Sequence, residues 1–308
     1  MGLMSGKFVE KIRLDGKTAI ITGSNSGIGK ITAKEFYRLG ARVIMACRDL
    51  KRAEEAALEI KEELKDEQNI GEVVIKKLDL NSFNSIRACA QDILATEQKI
   101  HLLVNNAGVM MCPQGKTEDG FETQFGVNHL GHFLFTLLLL PKIIDSQPAR
   151  IVNLSSVAHQ RGYIKFDDLN WEKRPYSALA AYQQSKLANI LFTKELAERL
   201  QDKGVNVYAV HPGVVKTELG RHLDEVYFTG ARTLARTLGY FLLKTPEQGA
   251  QTTLYCALSE QAANETGLYY SDCHVKEPAP QAKDMEKAKR LWKESMEMVG
   301  LTEDSVKI

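Results

Sequence analysis

A tyrosine and a lysine four residues apart are the first side chains in this sequence whose chemistry stands out. Tyr182 and Lys186 lie inside residues 179–200, where the pattern predicts a helix, so the two side chains would share one helix face. A phenol normally titrates near pH ~10, and a neighbouring ammonium lowers that pKa because it stabilises the phenolate. Such a pair could exchange a proton with a substrate. Because the spacing also arises by chance in chains of this size, the pair alone proves little.

A pair of serines could bring a hydroxyl group to the same place. Residues 150–154 read as a buried strand, and Ser155 and Ser156 follow it directly. Ligands of an open α/β sheet bind beyond the carboxyl ends of its strands, so Ser156 could hydrogen-bond a substrate oxygen. A serine that only caps the strand end is the alternative, and the sequence leaves it open when Tyr182 is not considered.

A glycine-rich turn follows the first predicted strand and opens a predicted helix. Glycines allow positive φ and close approach of the backbone, so the helix N-terminus can present free N–H groups to a pyrophosphate. The spacing is GxxxGxG rather than the commoner GxGxxG, and a plain tight turn is the alternative. The candidate cofactor-binding residues of the turn are Gly23, Ser24, Asn25, Ser26, Gly27, Ile28 and Gly29.

The end of the second predicted strand indicates NADP(H) as the cofactor. NAD enzymes of this fold place an acid there for the ribose 2′-hydroxyl, but this chain has Cys47 followed by Arg48. An arginine matches a 2′-phosphate by its charge and its planar set of donors, although a solvated surface arginine is the alternative. Asp79 and the segment from Asn105 to Gly108 end two further strands at the same edge. They could equally serve as a helix cap and a turn.

The elements that must position these residues alternate regularly from Lys17 onward. Short apolar runs followed by longer helical patterns are typical of βα units around a parallel sheet. With no linker or repeat, the pattern predicts one domain over residues 1–308, a three-layer, doubly wound Rossmann fold with a seven-stranded, mainly parallel sheet. The predicted strands are 18–22, 42–46, 73–78, 102–105, 150–154, 205–210 and 268–270. The predicted helices begin near Gly27, Leu50, Ser82, Asp119, Leu179, Pro246 and Gln281.

One segment, residues 214–245, interrupts this alternation. It places apolar and aromatic side chains among few charges, which indicates an apolar lid over a substrate pocket. An ordinary amphipathic helix packed on the core is favoured as strongly.

Charge and composition narrow the range of partners. The 40 Lys and Arg residues nearly cancel the 39 Asp and Glu residues, so no overall field draws the protein to nucleic acid, and a small-molecule partner is expected. The longest apolar stretch, residues 133–140, is far shorter than the roughly 18 to 20 residues of a membrane helix, which predicts no transmembrane span. Five cysteines without metal-type spacing indicate reduced thiols, no metal site and a cytoplasmic protein.

The ordered set of these motifs resembles the short-chain dehydrogenase/reductase family over about residues 15–290. The set comprises TGxxxGxG, NNAG, an asparagine in the next helix, a strand ending in Ser-Ser, YxxxK and Pro-Gly. The wording of residues 126–133 (GVNHLGHF), 153–159 (NLSSVAH) and 211–215 (HPGVV) is similar to the retinol dehydrogenase branch, which includes microsomal and mitochondrial retinal reductases.

The resemblance implies a role for each matching residue. Gly23, Gly27 and Gly29 would bind the pyrophosphate. Asp79 would bind the adenine, and the NNAG turn would bind the cofactor ribose. Asn128 would hold a water that links Lys186 to solvent, and together with Ser156 and Tyr182 these two residues would complete the catalytic set. The cofactor contacts implied are Gly23, Gly27, Gly29, Asp79, Asn105, Ala107, Gly108, Pro212, Gly213 and Thr217.

The implied function is an NADP(H)-dependent oxidoreductase that interconverts an aldehyde or ketone and its alcohol, with a lipophilic substrate such as retinal or retinol. A broad-specificity carbonyl reductase for steroid, xenobiotic or lipid aldehydes is one alternative, and a non-catalytic NADPH-sensing regulator is another. Many members of the branch begin with a membrane anchor, whereas the first predicted strand here starts at residue 18. Peripheral contact with endoplasmic reticulum or mitochondrial membranes and a homodimer are left open.

Overall fold

The protein is built around one eight-stranded sheet in the computed structural model, which describes residues 6–10, 12–216, 223–226 and 243–306. The strands are β1 (Thr18–Thr22), β2 (Arg42–Cys47), β3 (Glu72–Lys77), β4 (Leu102–Asn105), β5 (Ala149–Leu154), β6 (Val205–His211), β7 (Leu268–Ser271) and β8 (His274–Val275). Their order across the sheet is β3-β2-β1-β4-β5-β6-β7-β8. All neighbouring pairs are parallel except β7 and β8, which are antiparallel.

The predicted count of seven strands is therefore wrong by one. The extra strand, β8, has two residues and pairs with β7 through Tyr270 opposite Val275 and Ser271 opposite His274. Asp272 and Cys273 form the tight connection between the two strands, with positive φ angles of 53° and 62°. A two-residue strand carries no periodic apolar signal, so pattern reasoning could not find it.

Helices cover both faces of the sheet. They are α1 (Gly27–Arg38), α2 (Leu50–Glu63), α3 (Phe83–Thr96), α4 (Thr123–Phe125), α5 (Gly131–Ile144), α6 (Ala178–Arg199), α7 (Leu223–Val226), α8 (Pro246–Leu258) and α9 (Met285–Met298). A π-helical turn, Gly126–Leu130, joins α4 to α5. Short 3₁₀ turns occupy Val157–Arg161, Ala262–Asn264, Pro280–Ala282 and Glu303–Ser305.

The core has two apolar layers, one on each face of the sheet. Ile20 and Ile21 are adjacent in β1 and fully buried, yet they belong to opposite layers because successive strand side chains point to opposite faces. One layer contains apolar residues of α3, α5, α6 and α9, and the other contains those of α1, α2 and α8. Burial on both faces explains why the strands are almost continuously apolar.

The order of the strands reverses at β1, which pairs with β2 on one side and β4 on the other. Crossover connections leave on opposite faces at such a point, so a crevice opens beyond the carboxyl ends of the strands. The turns after β1, β4 and β5 meet at this edge. The fold thus brings the glycine turn, the NNAG segment and the Ser-Ser pair together.

Two sequence-based predictions concern the substrate and membrane surfaces. Within the predicted lid at 214–245, Val215 forms a parallel bridge with Lys244, but most of the segment lies outside the described residues. In the part of the chain that the structure describes, one helix, Thr123–Ile144, is long and apolar enough to cross a membrane. Its most apolar window is 78% buried within the fold, as expected for a core helix.

Candidate active site

A cleft of about 440 Å³ opens at the carboxyl edge of the sheet, over the reversal at β1. Its lining includes these residues predicted from the sequence: Gly23, Asn25, Ser26, Gly27, Ile28, Gly29, Arg48, Asp79, Ala107, Gly108, Ser156, Tyr182, Lys186, Pro212 and Gly213. We call the part formed by residues 23–29, Arg48 and Arg52 the glycine-turn side, and the part formed by Ser156, Tyr182 and Lys186 the tyrosine side.

Three predicted residues lie behind the cleft, and Thr217 lies outside the described residues. Ser24 is fully buried and donates its hydroxyl to the Ile21 carbonyl at 3.1 Å. Asn105 donates its amide to Thr136 Oγ1 and Asn153 Oδ1, both at 2.8 Å, inside the core. The third, Asn128, is fully buried beneath the tyrosine side.

Asn106 lines the cleft in place of its neighbour Asn105. Its side chain donates to the Thr22 carbonyl at 2.8 Å and its backbone N–H to Thr22 Oγ1 at 2.9 Å, which ties the NNAG turn to the end of β1. Asn106 belongs to the NNAG motif but was not among the predicted site residues. The alternation of side chains at the strand end could have suggested that only one of the two asparagines faces the cleft.

The glycine turn forms a cradle that side chains would fill. Gly23 has a φ of +63°, and a Cβ there would lie 2.8 Å from Ala107 Cβ. A Cβ on Gly29 would lie 2.6 Å from the Gly23 carbonyl oxygen. Helix α1 begins here with no side-chain cap on Ser26 and no acidic residue in its first turn, so its N-terminal N–H groups are suited to an anion. This geometry fits the pyrophosphate of a nicotinamide dinucleotide.

Two arginines lie at the far end of the glycine-turn side. Arg48 follows β2, and Arg52 is one turn further along, in α2; both are exposed and line the cleft. Asp49, between them, caps α2 by accepting the Arg52 backbone N–H at 3.1 Å. Arg52 was not predicted from the sequence, although its spacing of four from Arg48 places both arginines near the start of α2.

On the tyrosine side, Tyr182 and Lys186 are one turn apart on α6. Ser177 begins this helix by accepting the Ala180 N–H at 3.3 Å. Lys186 Nζ lies 5.6 Å from the centre of the Tyr182 ring and donates to the Leu154 carbonyl at 3.2 Å. Ser156 and Tyr182 line the same part of the cleft, and Ser156 is close enough to the phenol to lower its pKa. Phenol, ammonium and hydroxyl therefore meet at one point of the cleft.

Burial displaces the pKa values on this side, in one case against expectation. The sequence predicted that Lys186 lowers the pKa of Tyr182, but desolvation raises that pKa to about 12, and Ser156 only partly offsets it. Desolvation also lowers the pKa of Lys186 to about 8. The phenol thus holds its proton throughout the neutral range and is suited to donate it, while the lysine can lose its charge in mild alkali.

Asn128 connects the tyrosine side to the loop after β4. It lies in the π-helical turn, and such turns are frequent at functional sites. Its side chain accepts the Val109 N–H at 2.8 Å and donates to the Val109 carbonyl at 2.9 Å and to Ser185 Oγ at 3.0 Å. Because Ser185 precedes Lys186, this amide links the loop after β4 to α6 next to Lys186.

Comparison with known sequences assigns this arrangement to a family. The sequence profile described as short chain dehydrogenase matches residues 17–168 and 170–227. Retinol dehydrogenase 13 of Homo sapiens is 51% identical over 302 residues, which cover 98% of this chain and 90% of that protein. Retinol dehydrogenase 12 of Homo sapiens is 52% identical over 290 residues, covering 94% and 88% of the two chains.

Solved structures share this fold, and several of them hold a nicotinamide cofactor. An uncharacterized protein from Mycobacterium paratuberculosis superposes with a TM-score of 0.74 at 35% identity, covering 94% of this chain and 96% of that one. The 3-ketoacyl-(acyl-carrier-protein) reductase from Brucella melitensis, complexed with NADH, has a TM-score of 0.61 at 27% identity, covering 83% and 96%. The Pseudomonas aeruginosa RhlG/NADP active-site complex has a TM-score of 0.64 at 25% identity, covering 85% of this chain and 96% of that one.

Proposed function

The chain belongs to the short chain dehydrogenase family, as an oxidoreductase of its retinol dehydrogenase branch. From this premise we propose that it uses NADP(H) to interconvert a lipophilic carbonyl compound and its alcohol. Retinal and retinol are the leading pair. One observation carries the proposal. A buried phenol, close to Ser156 and Lys186, lines the same cleft as the uncapped start of α1 and two arginines.

The preference for NADP(H) rests on charge at the end of β2. The position where an acid would bind a ribose hydroxyl is Cys47, which is buried, and Arg48 and Arg52 line the cleft next to it. Asp49, the acid between the two arginines, caps α2 by accepting the Arg52 backbone N–H. Two guanidinium groups suit a 2′-phosphate, because planar donors bind phosphate oxygens in pairs.

The tyrosine side supplies the proton for carbonyl reduction. When bound, the nicotinamide cofactor transfers a hydride to or from the carbonyl carbon, and the protein positions the partners. Tyr182 donates its proton to the carbonyl oxygen, which the Ser156 hydroxyl orients. Lys186, still an ammonium below about pH 8, stabilises the negative charge left on the Tyr182 oxygen. Alcohol oxidation reverses these proton transfers.

A lipophilic substrate is supported by apolar side chains beside the reacting groups. Val157 follows Ser156 and is 40% exposed, and Leu179, three residues before Tyr182 on α6, is 42% exposed. Residues three apart share a helix face, so Leu179 lies on the same face of α6 as Tyr182. Apolar contacts discriminate weakly between substrates, so a broad carbonyl reductase for steroid or lipid aldehydes is the second candidate. A cytoplasmic location, peripheral membrane contact and a homodimer stay predictions.

The test is NADPH oxidation by the full-length protein with retinal, medium-chain aldehydes and ketosteroids in parallel. We expect the highest kcat/KM with retinal and little activity with NADH. Comparable activity on all three classes would favour the broad carbonyl reductase. Tight NADPH binding with no oxidation by any carbonyl would overturn the enzymatic assignment in favour of an NADPH-sensing regulator.

A further inference from the structure

A buried histidine that the mechanism does not use lies directly beneath the cleft. His132 is 2% exposed and sits on α5, a helix that is otherwise almost entirely apolar. Its Nε2 lies 2.8 Å from Thr22 Oγ1, at the end of β1, and its Nδ1 lies 3.1 Å from the backbone carbonyl of Asn128. The imidazole therefore spans the distance between the glycine turn and the π-helical turn.

The surrounding hydrogen bonds determine which ring nitrogen carries the proton. Thr22 Oγ1 accepts the backbone N–H groups of Asn106 and Ala107, each at 2.9 Å, which uses both of its lone pairs. Its remaining hydroxyl proton must then be donated to Nε2 of His132. Nδ1 consequently bears the hydrogen and donates it to the Asn128 carbonyl. Burial favours this neutral form, because it lowers the pKa of His132 to about 4.

The two hydrogen bonds of the His132 ring reach opposite sides of the cleft. The Thr22 end holds the Asn106–Ala107 turn, which lines the glycine-turn side. The Asn128 end holds the residue whose amide clamps Val109 and Ser185, next to Lys186. Polar groups without partners would be costly in this core, so the Nδ1 bond fixes the backbone carbonyl of Asn128 and the Nε2 bond fixes the Thr22 hydroxyl that accepts the NNAG-turn N–H groups.

We propose that His132 is a positioning residue for the reaction: through its Nδ1–H it holds the Asn128 carbonyl and the π-helical turn, and through Nε2 it aligns that turn with Thr22 and the NNAG turn. This inference rests on the proposed function, because its effect is read on turnover. The two ring nitrogens of His132 consequently have different roles. The Nδ1 bond serves the tyrosine side, and the Nε2 bond serves the cofactor turn.

Two substitutions separate the bonds. His132→Asn places an amide N–H at the level of Nδ1 and keeps the Asn128 bond, whereas His132→Gln places an oxygen at the level of Nε2 and keeps the Thr22 bond. We expect H132Q to lower kcat about ten- to a hundredfold with KM for NADPH changed less than about threefold, because a small shift of reacting groups has effects of this size. H132N should retain most of kcat.

His129 provides the matched control. It is three residues earlier, 1% exposed, and bonds Ser295 Oγ at 2.9 Å on the side of α9, away from the cleft. H129Q should lower the melting temperature as H132Q does, yet leave kcat unchanged. A loss of kcat in H129Q equal to that in H132Q, or equal losses in H132N and H132Q, would overturn the proposal.

A second readout is independent of turnover. Hydrogen exchange of the Asn106 and Ala107 amides should be faster in H132N than in H132Q or the wild type, because H132N removes the acceptor that orients the Thr22 hydroxyl. Equal exchange in all three proteins would overturn the proposed role of the His132 hydrogen bonds. If the wild type reduces no carbonyl, the proposed function fails, and amide exchange alone decides the inference.

Discussion

The two sides of the cleft consist of different kinds of chemical group. The glycine-turn side consists of backbone N–H groups at the start of α1 and of Arg48 and Arg52, whose side chains are exposed to solvent. The tyrosine side consists mostly of buried side chains: Tyr182 is 6% exposed and Lys186 is 5% exposed, and only Ser156 is half-buried. An anion can thus be bound at one end of the cleft while a proton is exchanged at the other.

This difference determines what each side can do. Exposed guanidinium groups keep their charge and contribute to affinity, and their loss costs binding free energy without disturbing the fold. Buried groups have displaced pKa values and depend on their neighbours, so changing one alters reactivity. Substitutions on the tyrosine side should therefore act on kcat, and those on the glycine-turn side on the affinity for NADPH.

Tyr182→Phe should have the largest effect. It removes the proton donor and little else from the cleft, so kcat should fall at least ~10²-fold while the NADPH dissociation constant stays nearly unchanged. Steady-state kinetics and a fluorescence titration measure the two quantities. A variant that keeps more than about one tenth of the wild-type kcat would show that Tyr182 is not the acid.

Lys186→Ala should affect both quantities, because Lys186 adjoins Tyr182 and also lines the cleft. We expect kcat to fall ~10²-fold and NADPH affinity to fall roughly tenfold. The control is Lys194→Ala, eight residues further along α6 and outside the cleft lining, which should change neither. Unchanged NADPH affinity in Lys186→Ala would remove its proposed contact with the cofactor.

Arg48→Ala tests the glycine-turn side. A charge-assisted contact with phosphate contributes about 1.5 to 3 kcal/mol, so affinity for NADPH should fall roughly ten- to more than a hundredfold while affinity for NADH hardly changes. Arg52→Ala should have a smaller effect in the same direction. Lys51→Ala, exposed and outside the cleft lining, is the control. If Arg48→Ala leaves the ratio of the two affinities unmoved, neither charge nor position at the end of β2 selects NADP(H).

The pH dependence gives the smallest effect. Tyr182 keeps its proton up to a pKa of about 12, so the break in the reductive kcat/KM should come from Lys186, whose pKa is about 8. The rate should be flat below this pH and fall by up to about tenfold per unit above it, because the neutral amine no longer stabilises the phenolate. A rate that rises between pH 8 and 9 would contradict this assignment.

Most of the glycine-turn side could be predicted from the sequence, because its signals are local. Glycines at a strand-to-helix junction and a missing acid after β2 are legible without tertiary contacts. Strands β1 and β4 match their predicted bounds for the same reason, since a buried run ends at turn residues. Arg52 was not predicted, although it lies in the first turn of α2.

The tyrosine side depends on burial, which a linear sequence does not give. The pKa of Tyr182 moved in the unexpected direction because desolvation outweighs the lowering by Ser156, and this burial depends on the closed fold. The orientation of Asn105 into the core and the bonds of His132 likewise join residues from separate strands and helices. Pattern reasoning finds such residue types but not which of them meet.

One experiment tests the division between the two sides most directly. Single-turnover reduction of retinal and NADPH dissociation constants would be measured on the wild type, Tyr182→Phe and Arg48→Ala. We expect Tyr182→Phe to slow reduction at saturating NADPH at least ~10²-fold with an unchanged dissociation constant, and Arg48→Ala to weaken binding at least about tenfold with a rate within about threefold of the wild type. A slow Arg48→Ala variant with normal NADPH affinity, or a Tyr182→Phe variant that reduces retinal at more than about one tenth of the wild-type rate, would contradict the account.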